Sequence, residues 1–390
     1  MRRHLVVVLA GLLWAPLAPL VLTATPAHGL DVVVAEAAPA TVHPRLLFSA
    51  EDVKDLRARV STPGSVHAAA WARLQERAEG HLLKVQPDLI EPGICVPGEP
   101  ILLNGNYNGL ECVYNLQNEM PTYLIDLGMA YQLSGDARYG RRVIELISAL
   151  GDAGFPYWSG QDLGIGDLLE GIGLGFDWTY ELMTVEERGK IVGDITAHQD
   201  LLFVRPLFEY TNEASTYPSS NWMGVTAGGA GLTLLAIKGE PAAPTTFTSP
   251  PQPGFSNVPA FPETTYTFGQ YLDKAMLQVR TYFRGGVDMQ GASHEGTTYA
   301  NYGLKNSIPF ALAAKREGLG DAMDGTGLPA THSWGGSGTI NLPLGNPDGG
   351  TGLRLLSRWL AFEQLPGEGQ NFVPLNDSQR TQVGVDLQAL

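Results

Sequence analysis

The sequence predicts an all-α protein of about ten antiparallel helices. Apolar residues recur with a helical period in successive segments, and alternating strand patterns are almost absent. In addition, 47 glycines and 27 prolines among 390 residues place frequent breaks between short elements. No repeat of fixed length is visible, which disfavours a solenoid and leaves a helical bundle or a closed α/α toroid.

The helices are predicted from their first residues and their periodicity. Segment 50–60 follows Ser49, a favourable N-cap residue. Pro121 is predicted to open a helix, because proline suits the first helical position. Thr184 and Glu187 match a capping box. The other predicted helices are 67–83, 137–150, 166–182, 185–203, 222–237, 266–283, 299–317 and 352–363.

The first 37 residues are predicted to be a signal peptide. Two arginines precede the apolar run 5–22, and small residues that suit cleavage follow it. The alternative is a membrane anchor, but Pro16 and Pro19 interrupt the run. We therefore expect a secreted or periplasmic protein with no membrane span after cleavage.

The mature chain is predicted to be one helical domain over residues 38–380. Segment 239–265 holds seven prolines and little helical pattern, so it is expected to be a surface insertion between two helices. Cys95 and Cys112 are the only cysteines, and in an oxidising compartment we expect them to form a disulfide. They have neither the spacing nor the histidines of a zinc site, so no metal is expected.

The net charge and the absence of several sequence motifs argue against some classes of function. With 25 Lys and Arg against 40 Asp and Glu, the net charge is −15, which argues against nucleic acid as a partner. The sequence contains no Gly-rich phosphate loop, HExxH helix or GxSxG elbow, and no cofactor is expected.

Two polar segments interrupt the helical pattern and are candidates for a site. In the first, Asn221 and Trp222 open a helix rich in small residues, which permits close packing. Asn221 is expected either to cap this helix or to point its amide into a cleft at the positive helix end.

The second segment, 288–303, holds His294, Glu295, Tyr299 and Tyr302 at the start of a helix. The spacing allows Glu295 and the two tyrosines to share one face, as a site or as half-buried core tyrosines. Trp334, flanked by glycines, is a candidate for stacking on a sugar, although a loop tryptophan often simply packs.

The chain resembles heparinase II/III-type polysaccharide lyases. The residues that carry this resemblance are, in chain order, His43-Pro44-Arg45-Leu46-Leu47-Phe48, Ser220-Asn221-Trp222, Glu295-Gly296-Thr297-Thr298-Tyr299 with Tyr302-Gly303, and Phe372-Val373-Pro374-Leu375-Asn376-Asp377-Ser378. The resemblance covers about residues 43–380 and implies an α/α toroid that cleaves an acidic, uronate-containing polysaccharide by β-elimination.

The resemblance also implies roles for individual residues. Asn221 would neutralise the substrate carboxylate and Tyr299 would act as base and acid, with Tyr302 as the competing choice. Trp222, His294, Glu295 and Trp334 are expected to bind substrate.

The sequence departs from the resemblance in three ways. Relatives place a histidine near the asparagine, where this chain has Trp222 and Met223. The relatives' C-terminal β-sandwich is expected to be missing, with residues 381–390 as the start of a truncated region. The acidic balance is also unexpected for a protein that binds a polyanion.

Two rival functions remain open from the sequence. One is a glycoside hydrolase that uses two of Glu170, Asp177 and Glu295. The other is a carbohydrate-binding protein without turnover.

Overall fold

The computed structural model confirms the predicted all-α class. It describes residues 42–84, 100–101, 107–155, 162–209, 220–249, 263–287, 293, 295–323, 331–334 and 338–341. Within these ranges the α-helices are α1 Ala50–Val60, α2 Val66–Lys84, α3 Gly109–Ser134, α4 Ala137–Asp152, α5 Asp162–Thr179, α6 Val185–Ala197, α7 Asn221–Ile237, α8 Phe268–Gly285 and α9 Gly296–Arg316. A 3-10 turn, Tyr180–Leu182, follows α5, and a π-helix, Asp200–Glu209, follows α6.

Short antiparallel strand pairs supplement the helices. They are β1 Pro100–Ile101 with β2 Tyr107–Asn108, β3 Thr246–Ser249 with β4 Thr264–Thr267, and β5 Thr331–Trp334 with β6 Gly338–Asn341. The β3–β4 pair closes the base of the proline-rich segment. The middle of that segment, the predicted helix 352–363 and the signal peptide lie outside the described residues.

The helices form two rows. The inner row is α3, α5, α7 and α9, in which each helix packs extensively on the next. In the outer row, α2 and α4 pack on α3, and α8 packs on α7. In α7 every residue except Trp222 is buried, because neighbours cover it on all sides. This double row agrees with the predicted toroid. None of the described helices combines the length and apolarity needed to cross a membrane.

The N-terminal segment 43–45 contacts the C-terminal ends of three inner helices, α5, α7 and α9. His43 Nδ1 lies 2.7 Å from Asp177 Oδ1, near the end of α5. The Arg45 guanidinium donates to the carbonyl of Leu235, at the end of α7, over 2.9 Å. It also lies 3.5 Å from the Glu317 carboxylate, directly after α9. Because one short segment reaches all three ends, α5, α7 and α9 run parallel to one another.

Glycines let these parallel helices approach to backbone contact. A Cβ on Gly166 of α5 would lie 2.8 Å from the Val225 carbonyl oxygen of α7. A Cβ on Gly228 of α7 would lie 2.5 Å from the Asn306 carbonyl carbon of α9. The prediction that the small residues of α7 serve close packing is therefore confirmed.

Local signals predicted most helix starts correctly. Ser49 caps α1, and Thr184 with Glu187 forms the predicted capping box of α6. The prediction for Pro121 is wrong, because this proline lies inside α3, which begins at Gly109. Gly171 of α5 leaves room for it, since a Cβ there would come within 2.7 Å of the Pro121 Cα. Packing of α3 on α5 therefore outweighs the local preference of proline.

Candidate active site

Asn221 is the first residue of α7 and does not cap it. Ser220 occupies the N-cap position, and its hydroxyl accepts a hydrogen bond from the Trp222 main-chain N–H at 3.4 Å. The Asn221 side chain, which is only 3 % exposed, is therefore available for contacts outside its own helix.

The partner of Asn221 is Glu295, the residue directly before α9. The main-chain N–H of Asn221 donates to Glu295 Oε2 over 2.5 Å, and its Nδ2 lies 3.3 Å and 3.2 Å from Oε1 and Oε2. The positive N-terminal ends of α7 and α9 therefore meet at one carboxylate, which both helix dipoles stabilise. Asn221 Oδ1 is buried and has no hydrogen-bond partner among the described residues.

Tyr299 lies on the side of α9 that faces Asn221. Tyr299 and Gly303 lie four residues apart in α9 and so share one side of that helix. This side reaches Asn221, because a Cβ on Gly303 would lie 3.0 Å from the Asn221 Cα. Tyr299 is half-buried at this position.

Tyr302 has a partner on a different helix. Its hydroxyl donates to Asp167 Oδ2 of α5 over 3.0 Å. Lys305 Nζ lies 3.1 Å from the other Asp167 oxygen and 4.0 Å from Glu170 Oε2. The structure thus pairs Tyr302 with α5, whereas Tyr299 shares with Gly303 the side of α9 that contacts α7.

Burial and mutual charge shift the pKa values of Asp167, Glu170 and Lys305. The environment raises the pKa of Glu170 to about 8, mainly through burial, although the Lys305 charge opposes the shift. Burial likewise raises the pKa of Asp167, against the opposing charge of Lys305. Burial acts to lower the pKa of Lys305, but the charges of Asp167 and Glu170 outweigh it and the pKa is raised. The Lys305 ammonium therefore lies close to two buried carboxyl groups, and Glu170 keeps its proton at neutral pH.

Replacing Glu170 by glutamine is expected to change how stability depends on pH. Because the folded-state pKa is raised from 4.5 to about 8, the contribution of Glu170 is complete below pH 4.5 and is lost as the pH rises towards 8. Glutamine has no proton to lose. Relative to the wild type, the free energy of unfolding of Glu170→Gln, measured in urea, should therefore increase from about pH 5 to about pH 8.

A matched control is Glu145→Gln on the exposed side of α4, where the side chain is 53 % exposed. It should show the same difference from the wild type at both pH values. An equally constant difference for Glu170→Gln would contradict a buried proton on Glu170.

Comparison with known proteins leaves the family open. No protein-family profile matches the sequence, and no curated protein matches it. Among solved structures, the chain is similar to alginate lyase A1-III from Sphingomonas species A1, with a TM-score of 0.41 and 14 % identity. The similarity covers 70 % of this chain and 71 % of that one.

The carboxylates considered for a glycoside hydrolase lie in separate environments. Asp177 is fully buried and accepts hydrogen bonds from the main-chain N–H groups of Arg45 and Leu46. It therefore anchors the N-terminal segment. Glu170 lies near Lys305 and Glu295 binds Asn221, so each of the three carboxyl groups has a partner of its own.

The structure adds a phenol that the sequence did not single out. Tyr282 of α8 is 2 % exposed and packs against Gly224 of α7 and Gly303 of α9. Burial raises its pKa, and the nearby Glu295 charge adds to the shift. A phenol held neutral inside the packing is not suited to remove a proton from a substrate.

Other predicted site residues are described in part. Trp222 is half-buried at the start of α7. The backbone of Trp334 lies in β5 and that of Cys112 in α3, but their side chains, like all of His294 and Cys95, lie outside the described residues. Their predicted roles stay predictions. Among the residues that the structure describes, no group of three or more His, Cys, Asp or Glu could hold a metal.

Proposed function

We propose that the protein is a polysaccharide lyase that acts outside the cytoplasm and cleaves a uronate-containing glycan by β-elimination. The observation that carries this proposal is the contact between Asn221 and Glu295 at the meeting of two helix N-termini. It supplies a main-chain donor, an amide donor and two positive helix ends around one carboxylate. The resemblance to heparinase II/III-type lyases makes the same assignment for Asn221.

The donors of Asn221 fit the chemical demand of β-elimination. The C5 proton of a uronate becomes acidic only when hydrogen bonds neutralise the adjacent carboxylate. In the structure these donors bind the Glu295 carboxylate, which has the same acceptor atoms as a uronate. In the proposed complex, the carboxylate of the substrate takes the place of Glu295.

Tyr299 is the proposed base. It shares one side of α9 with Gly303, which faces Asn221, so its phenol starts on the side of α9 where the uronate would bind. A phenol has a pKa of about 10 in water and needs a positive environment to act as a base. The position of Tyr299 in the first turns of α9 puts it near the positive end of that helix.

The experiment that tests this function is a substrate panel. The purified protein is incubated with several uronate polysaccharides, including alginate and heparan-type glycans, and with a neutral glucan as control. β-Elimination creates a C4–C5 double bond in the product, so near-ultraviolet absorbance should rise with the uronates only.

The same panel separates the rival functions. New reducing ends without absorbance would indicate a glycoside hydrolase. Retention of a glycan with neither signal would indicate a binding protein. Either result would remove the lyase assignment.

A further inference from the structure

Two side chains of α9 contact one carboxylate of α5. Asp167 accepts a hydrogen bond from the Tyr302 hydroxyl at 3.0 Å and lies 3.1 Å from Lys305 Nζ. These contacts fix the position of the Tyr302 oxygen beside Asp167.

The direction of the hydrogen bond determines where the proton resides. An ionised carboxylate only accepts, so the Tyr302 hydroxyl is the donor and carries its proton. Loss of that proton would place a phenolate beside the carboxylate of Asp167. The ammonium of Lys305, 5.9 Å from the centre of the Tyr302 ring, is positioned to offset that charge.

Tyr299 lies in a different setting, although it is only three residues away. It shares one side of α9 with Gly303, which faces Asn221, whereas Tyr302 binds α5. The two phenols therefore differ in what surrounds them.

We propose that Asp167 and Lys305 are positioning residues that make Tyr302 the proton donor to the departing glycosidic oxygen, while Tyr299 takes the C5 proton. This inference rests on the proposed lyase function and divides its acid and base roles between two tyrosines.

This division of the acid and base roles between two tyrosines gives a balanced reaction. The C5–H bond breaks, its proton goes to the Tyr299 phenolate, and its electron pair forms the C4–C5 double bond. The C4–O bond breaks, and the leaving oxygen takes the proton of Tyr302. The Tyr302 phenolate, opposite Lys305, then regains a proton from water, and Tyr299 returns its proton to water.

The decisive experiment compares Tyr302→Phe with Tyr299→Phe by two readouts. With a glycan substrate both variants should lose at least about 10²-fold in kcat. In deuterated water, Tyr302→Phe should still exchange the C5 proton of unreacted substrate, and Tyr299→Phe should not. With a uronide that carries fluoride at C4, which leaves without protonation, Tyr302→Phe should recover nearly the wild-type rate, and Tyr299→Phe should not.

Variants of Lys305 test the positioning role. Lys305→Met should lower kcat with little change in KM and keep the C5 exchange, whereas Lys305→Arg should restore part of the rate. Lys305→Met also leaves two buried carboxyl groups without a cation, so its thermal unfolding is checked first. Should it fail to fold, Tyr302→Phe decides alone, since that change leaves Asp167 with Lys305.

The outcomes separate this inference from the function on which it rests. A wild-type protein that forms no unsaturated product and exchanges no C5 proton would overturn the lyase function and the division with it. A wild-type lyase whose Tyr302→Phe variant keeps full activity, or loses C5 exchange as well, would overturn the division alone.

Discussion

Tyr299→Phe is expected to abolish β-elimination while the fold stays intact. Phenylalanine removes only the hydroxyl, and loss of a general base costs roughly 10²–10⁴-fold in rate. Because Tyr299 is half-buried on the face of α9 towards Asn221, its ring still packs after the change. The measurement is the initial rate of near-ultraviolet absorbance on the best uronate of the panel, together with thermal unfolding of both proteins.

The matched control is Tyr123→Phe. Tyr123 lies on α3, and its hydroxyl donates to Glu119 of the same helix at 2.6 Å. Removing this phenol should leave the elimination rate unchanged. Full activity of Tyr299→Phe would contradict its role as base and move that role to another residue.

Gly229→Ala is expected to cause the largest loss of stability among single methyl additions to α7. A Cβ on Gly229 would collide with the carbonyl of Gly166 on α5, which is main chain and cannot rotate away. Overpacking that forces the backbone to move typically costs about 1–3 kcal/mol, and we expect a loss at the upper end of this range. The free energy of unfolding in urea measures it, and the elimination rate should fall as well, because α5 and α7 both carry site residues.

Gly193→Ala on α6 is the control for the substitution itself. Nothing lies within 4 Å of a Cβ built there, and the position is exposed. Alanine in an open helical position should stabilise by roughly 0.5–1 kcal/mol. If Gly229→Ala behaved in the same way, close contact between α5 and α7 would not be a determinant of the fold.

The sequence predicted most of the helices because the signals that start them are local. Ser49 and the Thr184–Glu187 box act within one turn, so short windows reveal them. The prediction for Pro121 was wrong because this proline packs against Gly171, which lies fifty residues later in the chain. The extension of 185–203 as one helix was also wrong, since α6 ends at Ala197 and a π-helix follows.

The candidate site was predicted in pieces but not as an assembly. Asn221 and Glu295 stood out separately as polar residues at helix starts, yet their hydrogen bond spans 74 residues and no local pattern encodes it. Asp167 and Lys305 were missed altogether. The one available signal was an acidic residue among the glycines and leucines of α5, where a buried charge requires a partner from another helix.

The shared direction of α5, α7 and α9 bears on how an acidic molecule with a net charge of −15 could attract a polyanion. The positive ends of these three helix dipoles lie at the same end of the helix row, and their effects add there. An incoming anionic polymer would be guided to that end, with a rate of encounter that falls as salt is added. The local electric field at the helix N-termini, rather than the net charge of the protein, would then govern how the polymer approaches.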